Sequence, residues 1–269
     1  MVTLPNGEIA SASYDSTVRI WNLTSRTTRL ILSHPSIVYA LAILKNGDLC
    51  TSNDNSIRIW NTTDGTNKKI ISGIIDRIQS LAIFQNGDIA VGGNGYNPNP
   101  IIKIIDINTW AVKANLIGVS GTMYGLVVLK NGDLASGCDA NFINIWNLTS
   151  STPRVLLYTG GGGVYCVNSL QSGDLLVGTY DKSIRLVDQN SGALNKMYTV
   201  FSAPVTSLAV LPNSDIIGGS DKVIKIVDSN NGTVKAVLNE TANVNCLTVL
   251  PNGNFVSGLY DGSIKVWSL

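Results

Sequence analysis

The feature that most narrows the folds open to this sequence is a sevenfold recurrence. An apolar residue followed by a turn, usually Asn-Gly-Asp, opens at Leu4, Leu44, Phe84, Leu129, Leu170, Leu211 and Leu250, so successive copies lie 40, 40, 45, 41, 41 and 39 residues apart. Within each copy an apolar run such as Val38-Tyr-Ala-Leu-Ala-Ile-Leu44 reads as a buried strand, and the Asn46-Gly47 pair after it suits a hairpin turn that needs positive φ. A second, small-residue-rich strand follows, as in Ile9-Ala-Ser-Ala-Ser13, then a turn usually containing Asp. A third strand such as Thr17-Val-Arg-Ile-Trp21 and an outer segment such as Thr233-Val-Lys-Ala-Val-Leu238 complete the copy. A meander of about 40 residues with apolar side chains on both faces is unstable alone, and radial stacking buries both faces of every sheet.

The expected fold is therefore all-β: one domain over 1–269, a seven-bladed β-propeller of four-stranded antiparallel blades. The blades run near 1–32, 37–72, 77–117, 122–158, 163–199, 204–238 and 243–269. The last is incomplete, because its sequence stops at Trp267-Ser-Leu269, while the first strand of the chain is half present at Met1-Val-Thr-Leu4. Composition agrees with this class. Of 269 residues, 28 are Asn and 26 Gly, a density of turn formers that leaves no room for long helices, while 44% apolar residues supply a core.

A net charge of +1 excludes a basic sleeve for nucleic acid and also an acidic tail. No stretch reaches the roughly 18 consecutive apolar residues that a membrane span needs, and Met1 runs into repeat sequence without a leader, so no membrane contact and no export signal are expected. Cys50, Cys138, Cys166 and Cys246 are too few and too irregular for a disulfide framework and read as buried free thiols of a cytoplasmic protein. The sequons at Asn22, Asn61, Asn147, Asn231 and Asn239 would accept glycans only in a secretory compartment, and Asn and Thr are also what tight turns select.

Three segments carry a likeness to a known family: Ser11-Ala-Ser-Tyr-Asp-Ser-Thr-Val-Arg-Ile-Trp-Asn22, Ser52-Asn-Asp-Asn-Ser-Ile-Arg-Ile-Trp-Asn61 and Ser257-Gly-Leu-Tyr-Asp-Gly-Ser-Ile-Lys-Val-Trp-Ser268. They resemble the WD-repeat family, and the resemblance covers essentially the whole chain. It implies that a His, a Ser or Thr, an Asp and a Trp pin each blade. In this sequence the Asp falls at Asp15, Asp54, Asp181, Asp221 and Asp261, where a carboxylate can hold turn N–H groups. The Ser position holds Ser11, Ser136 and Ser257 but Cys50, Val177 and Ile217 in other copies. His34 is the one His, with Val119, Gly160, Phe201 and Glu240 at the matching places, so no blade has all four and strand packing is expected to do most of the work. The resemblance also implies that terminal segments complete one blade jointly, as in a module cut from a longer chain.

Catalytic chemistry is poorly provided for. One His and no Cys-x-x-Cys pair leave metal clusters and His-based acid/base sites out of reach, and Gly160-Gly-Gly-Gly163 lacks the Gly-Lys-Ser/Thr and the helix of a phosphate loop. No enzyme activity, cofactor or metal is expected. Arg19, Arg58, Lys103, Arg185, Lys225 and Lys265 stand two residues before the Trp position, with Asn144 in the fourth copy; they read as stems packed along blades with their charges in water.

A candidate working surface comes from two positional columns expected around one mouth of the propeller. The residue before the turn Asp is Tyr14, Asn53, Asp139, Tyr180, Ser220 or Tyr260, and the second residue of the first strand is Tyr39, Gln79, Tyr124, Tyr165, Thr206 or Asn245. Six of these twelve are Tyr, where nine Tyr spread evenly over 269 residues would place about 0.4. The longer third-copy turn Asn94-Gly-Tyr-Asn-Pro-Asn-Pro100 adds Tyr96, and Arg77 is expected to point the same way. The expected function is a non-catalytic scaffold that binds a protein or peptide segment through Tyr14, Tyr39, Arg77, Tyr96, Tyr124, Tyr165, Tyr180 and Tyr260, as part of a larger chain or complex. In the WD-repeat family similar positions commonly hold partners. A carbohydrate-binding propeller is the alternative, since Tyr beside Asn and Asp also suits sugars.

Overall fold

The computed structural model describes residues 1–95, 102–117, 121–148, 153, 155–158, 160 and 162–268. Among these there is no helix, only short strands and turns. The chain divides into two compact units, Met1–Met123 and Tyr124–Leu269. Unit one holds three four-stranded antiparallel meanders: Val2–Thr3, Ile9–Ala12, Thr17–Asn22 and Thr27–Ser33; then Val38–Ile43, Leu49–Asn53, Ser56–Trp60 and Asn67–Ser72; then Ile78–Ile83, Ile89–Gly95, Ile102–Ile105 and Val112–Leu116. Unit two opens within Gly121–Val128, which leads Leu134–Cys138, Phe142–Trp146 and Val155–Tyr158. The fifth meander runs through Val164–Ser169, Leu175–Thr179, Ile184–Val187 and Leu194–Tyr198, and the sixth through Val205–Val210, Ile216–Ser220, Val223–Val227 and Val234–Asn239. The last sheet has three strands, Val244–Val249, Phe255–Leu259 and Ile264–Trp267.

Each first hairpin turns where the Asn-Gly-Asp motif stands. Gly47 takes φ +84° and closes the turn by donating its N–H to the Leu44 carbonyl at 2.9 Å. The motif also contains its own lock: Asn46 Oδ1 accepts the Asp48 N–H at 3.1 Å, and its Nδ2 donates to Asp48 Oδ2 at 2.8 Å. The same pair of bonds recurs at Asn6, Asn86, Asn131 and Asn213. The acid so positioned then meets a cation from the fourth strand: Glu8 with Arg29 at 2.6 Å, Asp48 with Lys68 at 2.7 Å, Asp88 with Lys113 at 2.9 Å and Asp215 with Lys235 at 2.7 Å. The turn thereby ties the first hairpin to the outer strand, a role that the local turn preference of Asn-Gly-Asp does not suggest. With the three lysines about half exposed, each of their pairs is worth on the order of 1 kcal/mol.

Second strands are buried along their whole length, as at Leu49–Asn53, Leu134–Cys138, Leu175–Thr179, Ile216–Ser220 and Phe255–Leu259. Their small residues are explained by what faces them. In unit two a Cβ added to Gly137 would stand 2.2 Å from Val164 Cγ1, one on Gly178 2.9 Å from Val205 Cγ1, and one on Gly219 2.6 Å from Val244 Cγ1. The glycine of one sheet therefore receives the first Val of the next, three times in succession. Around that contact Ile217, Ile224, Val244, Leu247 and Phe255 form one apolar cluster, and Ala135, Ile143, Val164, Leu175 and Val177 another. Unit one is built alike, with Ile57, Ile59, Ile78, Ile89 and Val91 packed together.

Gly219→Ala is expected to lower stability by about 1–3 kcal/mol, because no methyl fits against Val244. Urea denaturation of Gly219→Ala, Val244→Ala and the double variant tests this: the double should be less unstable than the sum of the singles. Strict additivity would mean that the two residues are not in contact.

Candidate functional site

Two local devices place the tyrosines. The first is a β-bulge in the first strand of a meander. Val164 pairs with Thr179 and Cys166 with Gly178, so Tyr165 is the extra residue between them. Gln79, Thr206 and Asn245 occupy the same slot between Ile78 and Ser80, Val205 and Ser207, and Val244 and Cys246, and Tyr39 lies in the shifted stretch from Val38 to Leu41. A bulge leaves its extra residue out of the ladder and re-aims its side chain.

The second device is the length of the second turn. Three-residue turns pair Ser13 with Thr17, Thr179 with Ser183 and Leu259 with Ser263, leaving Tyr14-Asp15-Ser16, Tyr180-Asp181-Lys182 and Tyr260-Asp261-Gly262 outside the ladder. In each the third residue has positive φ, 66° at Ser16, 73° at Lys182 and 84° at Gly262. The Asp accepts the N–H two residues on, at 2.9 Å for Asp15, 3.1 Å for Asp181 and 2.9 Å for Asp261, as the sequence leads one to expect. Tyr14, Tyr180 and Tyr260 are consequently 70%, 57% and 71% exposed. The turns at Asp54 and Asp221 are one residue shorter. There the corresponding Asn53 and Ser220 stay in the strand and are buried, and Asp54 and Asp221 offer backbone carbonyls to Ile78 and Val244 instead of capping a turn.

In unit two these devices set Tyr165 and Tyr180 beside Tyr124. The Tyr124 and Tyr165 ring centroids are 5.5 Å apart with planes at 36°, and Tyr165 and Tyr180 are 6.1 Å apart at 39°. In unit one Tyr14 meets Tyr39 edge-on at 6.3 Å. Arg77 is exposed and has φ 46°, with its carbonyl accepting from Asn94 N. Tyr260 has no ring against it among the described residues, and Tyr96 lies outside them. Burial pushes the Tyr165 phenol above its ordinary 10, and the neighbouring acids Tyr124, Tyr180 and Asp139 push the same way, so its hydroxyl stays protonated and able to donate.

The pins implied by the family resemblance need correcting by one residue. Trp60 Nε1 donates to Thr51 Oγ1 at 3.0 Å, not to a group at position 50, and Cys50 is fully buried among Ile57, Ile59 and Ile89. Thr51 lies opposite Arg58 in the ladder just as Ser11 lies opposite Arg19; Gly218, not Ile217, likewise faces Lys225. The shorter turn removed one residue between these positions and the Trp. The constant signal is a spacing of 17, from His34 to Thr51, Phe201 to Gly218 and Glu240 to Ser257. In the second meander the Leu32 carbonyl can only accept from His34 Nδ1, so Nε2 accepts from the Thr51 hydroxyl at 2.8 Å, which in turn accepts from Trp60. In the last sheet Trp267 donates to Ser257, and Ser257 to Glu240 at 2.8 Å, so a carboxylate ends the relay in place of imidazole. In the sixth, Phe201 fills the space over Gly218 and Lys225 lies 5.5 Å above its ring.

Three of the cations expected to end in water are engaged within the protein, Arg185 by its own turn and Lys225 and Lys265 by the connections that precede their sheets. Arg185 is buried on Asp181 and Ser183, Lys225 donates to the Val200 carbonyl, and Lys265 pairs with the buried Glu240. The acids at Asp181 and Glu240 stand where those stems would otherwise emerge. All four thiols are free, with Cys50 and Cys138 buried and the others half-buried; burial pushes Cys50 up to about 12. Among the described residues no three His, Cys, Asp or Glu are grouped to hold a metal ion.

Comparison with known proteins places these features. The family model for the WD domain, G-beta repeat, matches residues 2–22, 26–61, 153–188, 195–228 and 232–268, more than half of the chain. Human and mouse striatin-4 are each 22% identical over 296 aligned positions, covering 97% of this chain and 34% of their own, so the chain spans about a third of the length of the curated relatives it matches. A chain in the crystal structure of the mitotic checkpoint complex is similar over 100% of this chain and 86% of its own, with a TM-score of 0.89 at 22% identity. The WD40 beta propeller domain of Doa1 is similar over 99% and 90%, with a TM-score of 0.85 at 18% identity. At such identities the likeness speaks for the fold, a β-propeller of antiparallel meanders.

Burial drops the His34 pKa from 6.5 to about 4, with the Arg58 charge pushing the same way. The unfolded chain therefore takes up a proton below pH 6.5 that the folded chain refuses until about pH 4, and stability should fall as pH falls through that window. His34→Gln cannot charge and should flatten that part of a melting-temperature profile; an unchanged slope would show that His34 is not the group responsible.

Proposed function

The chain belongs to the WD-repeat family and folds as its β-propeller, and from this premise we propose that it is a non-catalytic scaffold whose tyrosines hold a protein or peptide segment. The observation that carries the reading is the row of Tyr124, Tyr165 and Tyr180, three partly exposed phenols of which a bulge places the second and a three-residue turn the third. Each ring offers apolar area, a hydroxyl and little rotamer entropy to lose, the properties that favour Tyr in interfaces. The Tyr14–Tyr39 pair repeats the arrangement on a smaller scale in unit one.

Protein rather than nucleic acid is favoured as partner, because Asp139, the one group ionised at neutral pH among those acting on the Tyr165 phenol, would repel a phosphate backbone. Four free thiols accord with a reducing compartment such as the cytoplasm. One similar structure is a chain of a multiprotein complex, and striatin-4 is a longer protein than this chain, so a place within a larger chain or assembly fits both.

Tyr124→Ala/Tyr165→Ala should lose the main captured partner in affinity capture with mass spectrometry while melting within a few degrees of wild type. Tyr124→Phe/Tyr165→Phe, which keeps the rings, should retain part of the capture. Undiminished capture by the Ala pair would sink the assignment.

A further inference from the structure

Resting on the reading of this chain as a scaffold for a protein segment, we propose that Arg77 and Gln79 take the carboxylate of an Asp or Glu in that segment. Arg77 lies in unit one, between Asn67–Ser72 and Ile78–Ile83, and has φ 46°. A side chain crowds its own backbone at such an angle, so Gly or Asn usually fills these positions. Contacts with the second strand of the third meander hold the conformation in place. Asn94 donates its N–H to the carbonyls of Asp76 and Arg77 at 3.1 and 3.2 Å, and a Cβ added to Gly93 would stand 2.8 and 3.3 Å from the same two oxygens. These contacts use only the backbone of residue 77, so glycine would serve them without steric cost, and what Arg adds is its side chain.

No group of the described protein uses that side chain. Arg77 is exposed, and among the described residues its guanidinium has no hydrogen bond, ion pair or aromatic face; the adjacent Asp76, also exposed, forms no ion pair with it. By contrast Arg19 pairs with Asp15, Arg29 with Glu8 and Arg185 with Asp181. Gln79, two residues on, is the extra residue of the bulge between Ile78 and Ser80, so it stands out of the ladder, and its amide too has no partner among the described residues. It fills the slot that Tyr165 occupies in the fifth meander. The third meander therefore presents hydrogen-bond donors where the fifth presents a ring. A planar fork of N–H groups, with a primary amide two residues along, matches the two oxygens of a carboxylate. A phosphate dianion is served less well, because Arg77 is a single cation and the next residue, Asp76, is an acid.

Random-peptide display on the whole chain, with counter-selection on Arg77→Asn, tests the proposal, since Asn accepts the left-handed backbone and removes the charge and the fork. Peptides that depend on Arg77 should share an Asp or Glu at one fixed position. Changing that residue to its amide should weaken binding about ten-fold, and Gln79→Ala should weaken the acidic peptide about three-fold. Arg77→Lys, which keeps the charge but not the fork, should retain only part of the affinity. Arg77→Gly should lose the acidic peptide yet melt no lower than wild type. A fall of several degrees in that variant would make Arg77 a structural residue and overturn the inference. Arg77-dependent peptides without a fixed acid, equal binding of acid and amide forms, or tighter binding of phosphoserine at that position would overturn it as well, and undiminished binding by Gln79→Ala would overturn the part given to Gln79. Should no Arg77-dependent peptide be recovered while others are lost on Tyr124→Ala/Tyr165→Ala, the carboxylate site falls and the scaffold reading stands. Recovery of neither kind would overturn both.

Discussion

The close approach of successive sheets within each unit is the constraint on which the rest depends. A small second-strand residue on one sheet receives the first apolar residue of the next, as Gly137 receives Val164, Gly178 receives Val205 and Gly219 receives Val244. Fully burying one such Val is worth roughly 1.5–3 kcal/mol, and the approach that makes this possible leaves no space for a methyl at the glycine. The same contact fixes the height at which a first strand starts beside its neighbour's turn. It thereby decides which turn residue faces which bulge.

Polar pins act on top of this packing. At one end of a meander the Asn-Gly-Asp turn holds its own acid in place for an outer-strand cation. In the body of the sheet a Trp, a hydroxyl and a buried acceptor form a relay in which the last member is interchangeable. His34 and Glu240 both serve, and in the sixth meander the relay is absent and Phe201 over Gly218 fills the volume with a ring. What is preserved is the filling of that space and, where a Trp is present, an acceptor for its Nε1–H, whose loss would cost about 1–3 kcal/mol.

The tyrosine row is a consequence of two irregularities in regular strands. A bulge turns Tyr165 out of the ladder, and an extra residue in the turn lifts Tyr180 into solvent. Where the turn is a residue shorter, the equivalent Asn53 and Ser220 sink into the sheet. These phenols thus sit where the strand pairing is interrupted, on elements whose rigidity comes from the uninterrupted parts.

Sevenfold recurrence, the antiparallel meander and the crowding of Tyr into two columns were all legible in the chain, because each depends on residues a few positions apart: a turn preference, an apolar period, a loop of fixed length. Tertiary structure alone decided that Thr51 and Gly218 rather than Cys50 and Ile217 face the cation column, since that depends on pairing register across a shortened hairpin. It also decided that Arg185 is held by its own turn and Lys225 and Lys265 by the connections that precede their sheets. The neighbourhood of Asp139 and Tyr165 belongs to the same class: 26 residues separate them, and only the packing of one sheet on the next brings the two together. Sequence periodicity specifies what each strand is, but contacts between sheets specify what each side chain meets.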